Sequence, residues 1–362
     1  MPSPIVGRAG AGGHPCQGVY HRPRGGWPAV AVIATHYNVD FSEHYLAELC
    51  ANRGVGFLGW NTRFRGAEQY FLLDHAIAEI AVGVRWLREV AGAETIVLLG
   101  NSGGGSLMAA YQSQSIEPNL KPEYGRSEIV ASAIDVPGAD LYVSLAAHPG
   151  RPEVLTNWMD PSVGNEGDSL SVIESLDPFA EGREIPFSED FVSKYREAQR
   201  DRNYRITKWV RDEIDLMASA GYHDRLFTTP RLWADLRMID GSIDPSNRKS
   251  PSCYLGDPRR ANYGIYGVGT VSSLRTWLSM WSLNESQCSA APHLERINVP
   301  SLVIDADGDS GVFPSDTQAI VESLGSKDLT ALTISGDHYL RDRENSRDEV
   351  ADAIVEWIQE RS

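Results

Sequence analysis

One run, Thr95-Ile96-Val97-Leu98-Leu99-Gly100-Asn101-Ser102-Gly103-Gly104-Gly105, constrains this chain more than any other. An apolar segment suited to a buried strand stops at a glycine. A single serine follows among glycines, and residues 106–112 then read as a helix. This is G-x-S-x-G in a strand–turn–helix setting, a nucleophile elbow. Its tight turn needs tiny neighbours so that the serine hydroxyl stands clear of the backbone. The following helix points its first N–H groups at whatever negative charge forms there. A plain glycine-rich turn is the competing reading. A phosphate-cradling Walker loop fits poorly, since no lysine follows the glycines.

Around the elbow, buried strands are expected at 29–35, 55–60, 141–147, 301–306 and 329–334, with a short edge strand at 18–23. The buried runs are nearly continuous in apolar residues, as in strands covered on both faces. A helix is expected from Ser42 as N-cap to Asn52, stopped by Gly54. Another spans 72–90, where Ile77, Ile80, Ala81, Val84 and Leu87 recur at helical spacing. A third runs over 346–359, with Val350, Ile354 and Trp357 on one side. Strands alternating with helices predict an α/β fold: a mostly parallel central sheet flanked by helices, with the ligand site at the carboxyl ends of the strands. Ser102 falls at such an end.

Residues 151–298 break the rhythm. They are rich in Pro, Arg, Asp and Trp and hold no convincing buried strand, but helical patterns appear at 188–201, 203–220 and 270–284. Five tryptophans (Trp158, Trp209, Trp233, Trp277 and Trp281) fall there. The expected organisation is a core domain of residues 1–150 and 299–362, with 151–298 a mainly helical cap over the strand ends. Leu274, Trp277, Leu278 and Trp281 form an i, i+3, i+4, i+7 stripe. Such a stripe is usually core, and in a lid one edge can also roof the pocket. Trp277, Trp281, Met280 and Tyr263 are the candidate roof residues.

A serine hydroxyl needs a positioned base, and the base needs a carboxylate to fix its tautomer. Both follow predicted strands: Asp307-Gly308-Asp309 after 301–306, and Gly336-Asp337-His338 after 329–334. The order Ser102…Asp309…His338, each on a loop leaving a strand, is the order described for α/β-hydrolases. Asp305 and Asp307 are alternative acids. His36 reads as a structural histidine, and His148 as a residue of either the pocket or the loop packing.

On these residues the chain resembles the α/β-hydrolase superfamily over nearly its whole length, with 151–298 in the usual place of a cap. The resemblance implies Ser102 as nucleophile, His338 as general base and acid, and Asp309 as the orienting carboxylate. Two departures stand out. Where the family often has His-Gly-x, this chain has His36-Tyr37-Asn38, so Asn38 would supply an oxyanion-hole N–H beside that of Gly103, with the Tyr37 ring reaching into the site. The family's Asp-x-Arg-Gly becomes Asn61-Thr62-Arg63, followed by Arg65-Gly66.

Composition removes other classes. A formal charge of −16 with no basic run argues against nucleic acid and anionic membranes as partners. The start lacks the apolar core of a signal peptide, and no run approaches a membrane span. Cys16, Cys50, Cys253 and Cys288 show no paired spacing, which suits reduced thiols in a cytoplasmic protein. The histidines, His14 among them, show no metal-ligand spacing, so neither metal nor cofactor is expected. The resulting expectation is a hydrolase of a moderately sized apolar or aromatic ester or lactone. C–C bond or thioester hydrolysis uses the same triad, and a non-catalytic receptor is the competing class. Homo-oligomerisation is left open.

Overall fold

The computed structural model of the chain describes residues 16–129 and 135–362; His14 and the rest of the glycine-rich start lie outside them. The strands among the described residues are β1 (Gln17–His21), β2 (Val30–Ala34), β3 (Gly56–Asn61), β4 (Thr95–Asn101), β5 (Leu141–Leu145), β6 (Val163–Asn165), β7 (Asp168–Val172), β8 (Leu226–Thr228), β9 (Val271–Ser273), β10 (Ser301–Ala306) and β11 (Leu329–Ile334). Seven of them form one sheet in the order β1-β3-β2-β4-β5-β10-β11. Only β1, at one edge, runs antiparallel to its neighbour, as the register of Gln17 opposite Asn61 shows. The expected mostly parallel sheet flanked by helices is therefore the fold.

The helices are α1 (Ala47–Asn52), α2 (Leu73–Glu89), α3 (Gly104–Ile116), α4 (Arg151–Trp158), α5 (Glu189–Ser219), α6 (Leu236–Ile239), α7 (Pro258–Asn262), α8 (Leu274–Thr276), α9 (Ala291–Leu294), α10 (Pro314–Ser323) and α11 (Ser346–Gln359). Successive side chains of a strand point to opposite faces, so each central strand feeds two cores. Ala31, Ile33, Ile96, Leu98, Tyr142 and Val303 pack with α2 and α3 on one face. Val32, Ala34, Val97, Leu99, Val143, Leu302 and Ile304 pack with α1 and α11 on the other. Burial on both faces explains why these strands lack polar alternation.

Residues 151–298 add no strand to that sheet. The two helical patterns at 188–201 and 203–220 are one helix, α5, opened by Ser188, whose hydroxyl accepts from the Phe191 N–H at 3.3 Å. Two small antiparallel pairs, β6–β7 and β8–β9, were not expected there. The 270–284 pattern is likewise not one helix. Residues 271–273 pair with β8, α8 adds a single turn, and residues 277–281 wind as a π-helix in which the Ser282 N–H reaches the Trp277 carbonyl at 2.8 Å. The predicted helix from Ser42 is also shorter: only 47–52 is helical, because Asn61 holds the Phe41 N–H (2.9 Å) and His44 ties to Asn101 (3.1 Å).

A buried charge network joins this segment to α10. Asp235, fully buried, accepts from Arg196 Nη2 at 2.7 Å and Arg237 Nη2 at 2.9 Å, while Arg237 Nη1 donates to Asp316 on α10 at 3.0 Å. Burial alone would raise the Asp235 carboxyl; Arg196 and Arg237 hold it well below the usual carboxylate range.

Candidate active site

Ser102 sits where β4 meets α3, in the left-handed region with φ 56°. A non-glycine residue held there is strained and must be pinned by its surroundings. Its N–H donates to the Leu145 carbonyl at 3.1 Å, and its own carbonyl accepts from the N–H groups of Gly105 and His148, both at 3.1 Å. The space is as restrictive as the torsion: a Cβ on Gly105 would come within 2.5 Å of the Ala147 methyl. Asn101 braces the turn, donating through Nδ2 to the Leu145 carbonyl at 2.9 Å.

Three loops bring the predicted residues together across more than two hundred residues of sequence. The Ser102 hydroxyl donates to Nε2 of His338 at 3.0 Å, and the Nδ1–H of His338 donates to Oδ2 of Asp309 at 2.5 Å. The other carboxylate oxygen, Oδ1, accepts from the N–H groups of Gly311 (2.8 Å) and Val312 (3.0 Å) and from the Tyr254 hydroxyl (3.2 Å). With Oδ1 so occupied, Oδ2 is the atom left for the imidazole. The alternative acids have other roles. Asp305 accepts from Thr317 (3.1 Å), and Asp307 closes its loop with Asn247 (2.8 Å), Ser335 (3.0 Å) and the Gly336 N–H (3.1 Å).

Tyr254 is a site residue that sequence reasoning missed. Its hydroxyl lies 3.0 Å from His338 Nδ1, and its ring centre stands 4.3 Å from the imidazole. Burial, with the Asp309 charge, pushes its phenol well above the ordinary value, so it remains a neutral donor. Gly311 makes the room: a Cβ there would fall 2.3 Å from the tyrosine Cζ. Nothing periodic marks Tyr254 in the sequence; the one signal was the glycine in the loop after Asp309.

The cavity above Ser102 has a volume of about 520 Å³ and is walled by Trp158, Trp233, Tyr254, Val268, His148 and Arg151, among others. Trp158 and Trp233 stack at 4.7 Å, a rigid apolar wall. His36 and Asn38 also border it. His36 Nδ1 receives the N–H groups of Asn38 and Val39, both at 3.3 Å, so His36 does bond nearby backbone and the Asn38 N–H already has a long partner. Burial, reinforced by Arg151, pushes the His36 imidazole down to about 3, and His148 is lowered by burial too. Both are neutral.

The five proposed substrate contacts lie elsewhere. Tyr37, Trp277, Met280 and Trp281 are fully buried core residues rather than cavity wall. The Tyr37 hydroxyl bonds Ser106 Oγ at 3.0 Å, and Trp277 donates to Thr207 at 2.9 Å. Tyr263 is 42% exposed on the outer surface, beneath Arg231. Their stripe satisfies the packing of α8 and the π-turn, and it is Trp158 and Trp233 that reach the cavity. Among the described residues no cluster of three His, Cys, Asp or Glu side chains could hold a metal ion, and no helix is long and apolar enough to cross a membrane. All four cysteines are buried and none is in a disulfide.

No family model matches the sequence, and no curated protein matches it. Solved structures do match in fold. DcsB, in complex with its substrate analogue, superposes with a TM-score of 0.52 at 13% identity, over 95% of this chain and 94% of that one. The monoacylglycerol lipase of Paleococcus ferrophilus matches at 15% identity and TM-score 0.46, over 96% and 98% of the two chains. The α/β hydrolase GrgF of Penicillium sp. sh18 matches at 12% identity and TM-score 0.46, over 95% and 96%. With its sheet order and its elbow, the chain has the α/β-hydrolase fold.

Proposed function

We propose that the protein is a serine hydrolase that cleaves a carboxylic ester or lactone through an acyl-enzyme on Ser102. The observation that carries this reading is the continuous relay Ser102 Oγ–His338 Nε2–His338 Nδ1–Asp309 Oδ2, at 3.0 and 2.5 Å. His338 takes the hydroxyl proton as the oxygen attacks the substrate carbonyl, then delivers it to the leaving alcohol. Asp309 stabilises the imidazolium so formed. The oxyanion is received by the Gly103 N–H at the start of α3, with the Asn38 N–H, held only by a long contact, as second donor. Water then repeats the cycle on the acyl-enzyme.

Residues 151–298 act as the cap: Trp158, Trp233, Tyr254 and Val268 all come from this segment and enclose the substrate. Their chemistry suits an apolar or aromatic small molecule. The test is labelling with a fluorophosphonate, followed by turnover of a panel of esters, lactones and thioesters. Labelling and ester or lactone turnover that both vanish in Ser102→Ala support the reading; a wild-type protein that binds ligand but never reacts contradicts it.

A further inference from the structure

A guanidinium inside a cavity wall is costly unless its donors are used. Arg151, at the start of α4, is 2% exposed and borders the cavity with Ser102. One edge is tied down: Nη2 donates to Oε1 of Glu68 at 2.9 Å, and Oε2 of Glu68 accepts from the Gly269 N–H at 3.2 Å. Two rings lie against it, with Cζ 5.0 Å from the Tyr37 ring centre and 4.7 Å from that of Trp281. Such contacts favour a cation.

Two donors remain. Nε, which shares its edge with Nη2, is buried with no hydrogen-bond partner, and among the described residues Nη1 makes no hydrogen bond either. Nη1 faces the chemistry: a Cβ on Gly103 would come within 2.8 Å of Nη1 and 2.7 Å of His36 Nε2. The leaving alcohol departs past His338. Arg151 stands instead beside Gly103, whose N–H receives the carbonyl oxygen, and so it meets the acid half of the substrate.

We infer that the acid half of the substrate carries a second oxygen acceptor, a carboxylate or a ketone, held by Nη1 of Arg151. The inference rests on the acyl-transfer reading above. Guanidinium bonds to oxygen acceptors in a water-poor site are strong and directional, whereas a purely hydrocarbon acyl chain would leave those donors unmet.

Three series of methyl esters test this: straight-chain acids, oxo acids of matched length and half-esters of matched dicarboxylic acids, with one, two and three methylenes between the two carbonyl groups. The wild-type protein is expected to favour one acceptor-bearing series over the straight chains on the order of 10-fold or more in kcat/KM. The preferred series identifies the acceptor as ketone or carboxylate. Arg151→Met should bring that ratio to about one. No preference at any spacing overturns the inference. So does a ratio retained in Arg151→Met, or a uniform loss on all three series, which would make Arg151 an oxyanion or packing group. If the variant fails to fold, protection of wild-type Ser102 from a fluorophosphonate by the free acids decides the matter: stronger protection by the oxo acid or dicarboxylate supports it, and equal protection by the straight-chain acid overturns it. Absence of any wild-type labelling defeats the acyl-transfer reading itself, a separate failure.

Discussion

Ser102, His338 and Asp309 work only as a unit in the proposed reaction, so their losses should not add. Ser102→Ala and His338→Ala are each expected to lower kcat by on the order of 10⁴–10⁶, with the double variant little worse, as steady-state rates on one ester would show. Tyr254 touches His338 and Asp309 rather than a reacting atom, which makes it a positioning residue. Tyr254→Phe keeps the ring over the imidazole and removes one donor to Oδ1. It should lower kcat about 10-fold with KM nearly constant. A KM change with kcat intact would instead place the hydroxyl on the substrate. The three triad positions were legible in the sequence because each follows a strand whose apolar run is unmistakable. Tyr254 and Arg151 were not, since each acquires its role from partners remote along the chain: Tyr254 from the loop after β10, Arg151 from Glu68 and Tyr37.

At the scale of elements, the parallel strands were the most legible. The β2, β4 and β10 strands are covered on both faces and came within a residue or so of their expected limits, because nothing competes with the sheet for such sequences. The stripe at 274–281 misled because i, i+3, i+4 spacing records only that one side is buried. Here the pairing of Ser272 and Ser273 with β8 and the wider turn after Thr276 won over a continuous helix. The link between α6 and α10 is likewise invisible in either segment alone. Asp235→Ala leaves Arg196 and Arg237 facing each other without their shared carboxylate. A loss of about 3–5 kcal/mol is expected, read as a lower urea midpoint. A change under 1 kcal/mol would mean that water replaces the carboxylate.

For the whole molecule, the buried neutral histidines set the response to acid. His36 is pushed down to about 3 and His44 to about 4, both mainly by burial. An unfolded histidine titrates near 6.5, so below that pH the unfolded chain binds protons that the native state refuses. Stability is therefore complete above about pH 6.5 and falls toward about pH 3–4, by about 1.4 kcal/mol per pH unit for each histidine. Urea titrations between pH 7 and 4 should show this slope, and His44→Asn should flatten part of it. The cysteines carry a different consequence. All four thiols are enclosed, and burial raises every one of them, Cys50 and Cys288 to about 12. The thiolate is the form that reacts, so a maleimide will find no target while the chain is intact. Each adduct then marks one opening event, and the protein carries its own clock for how often it comes apart.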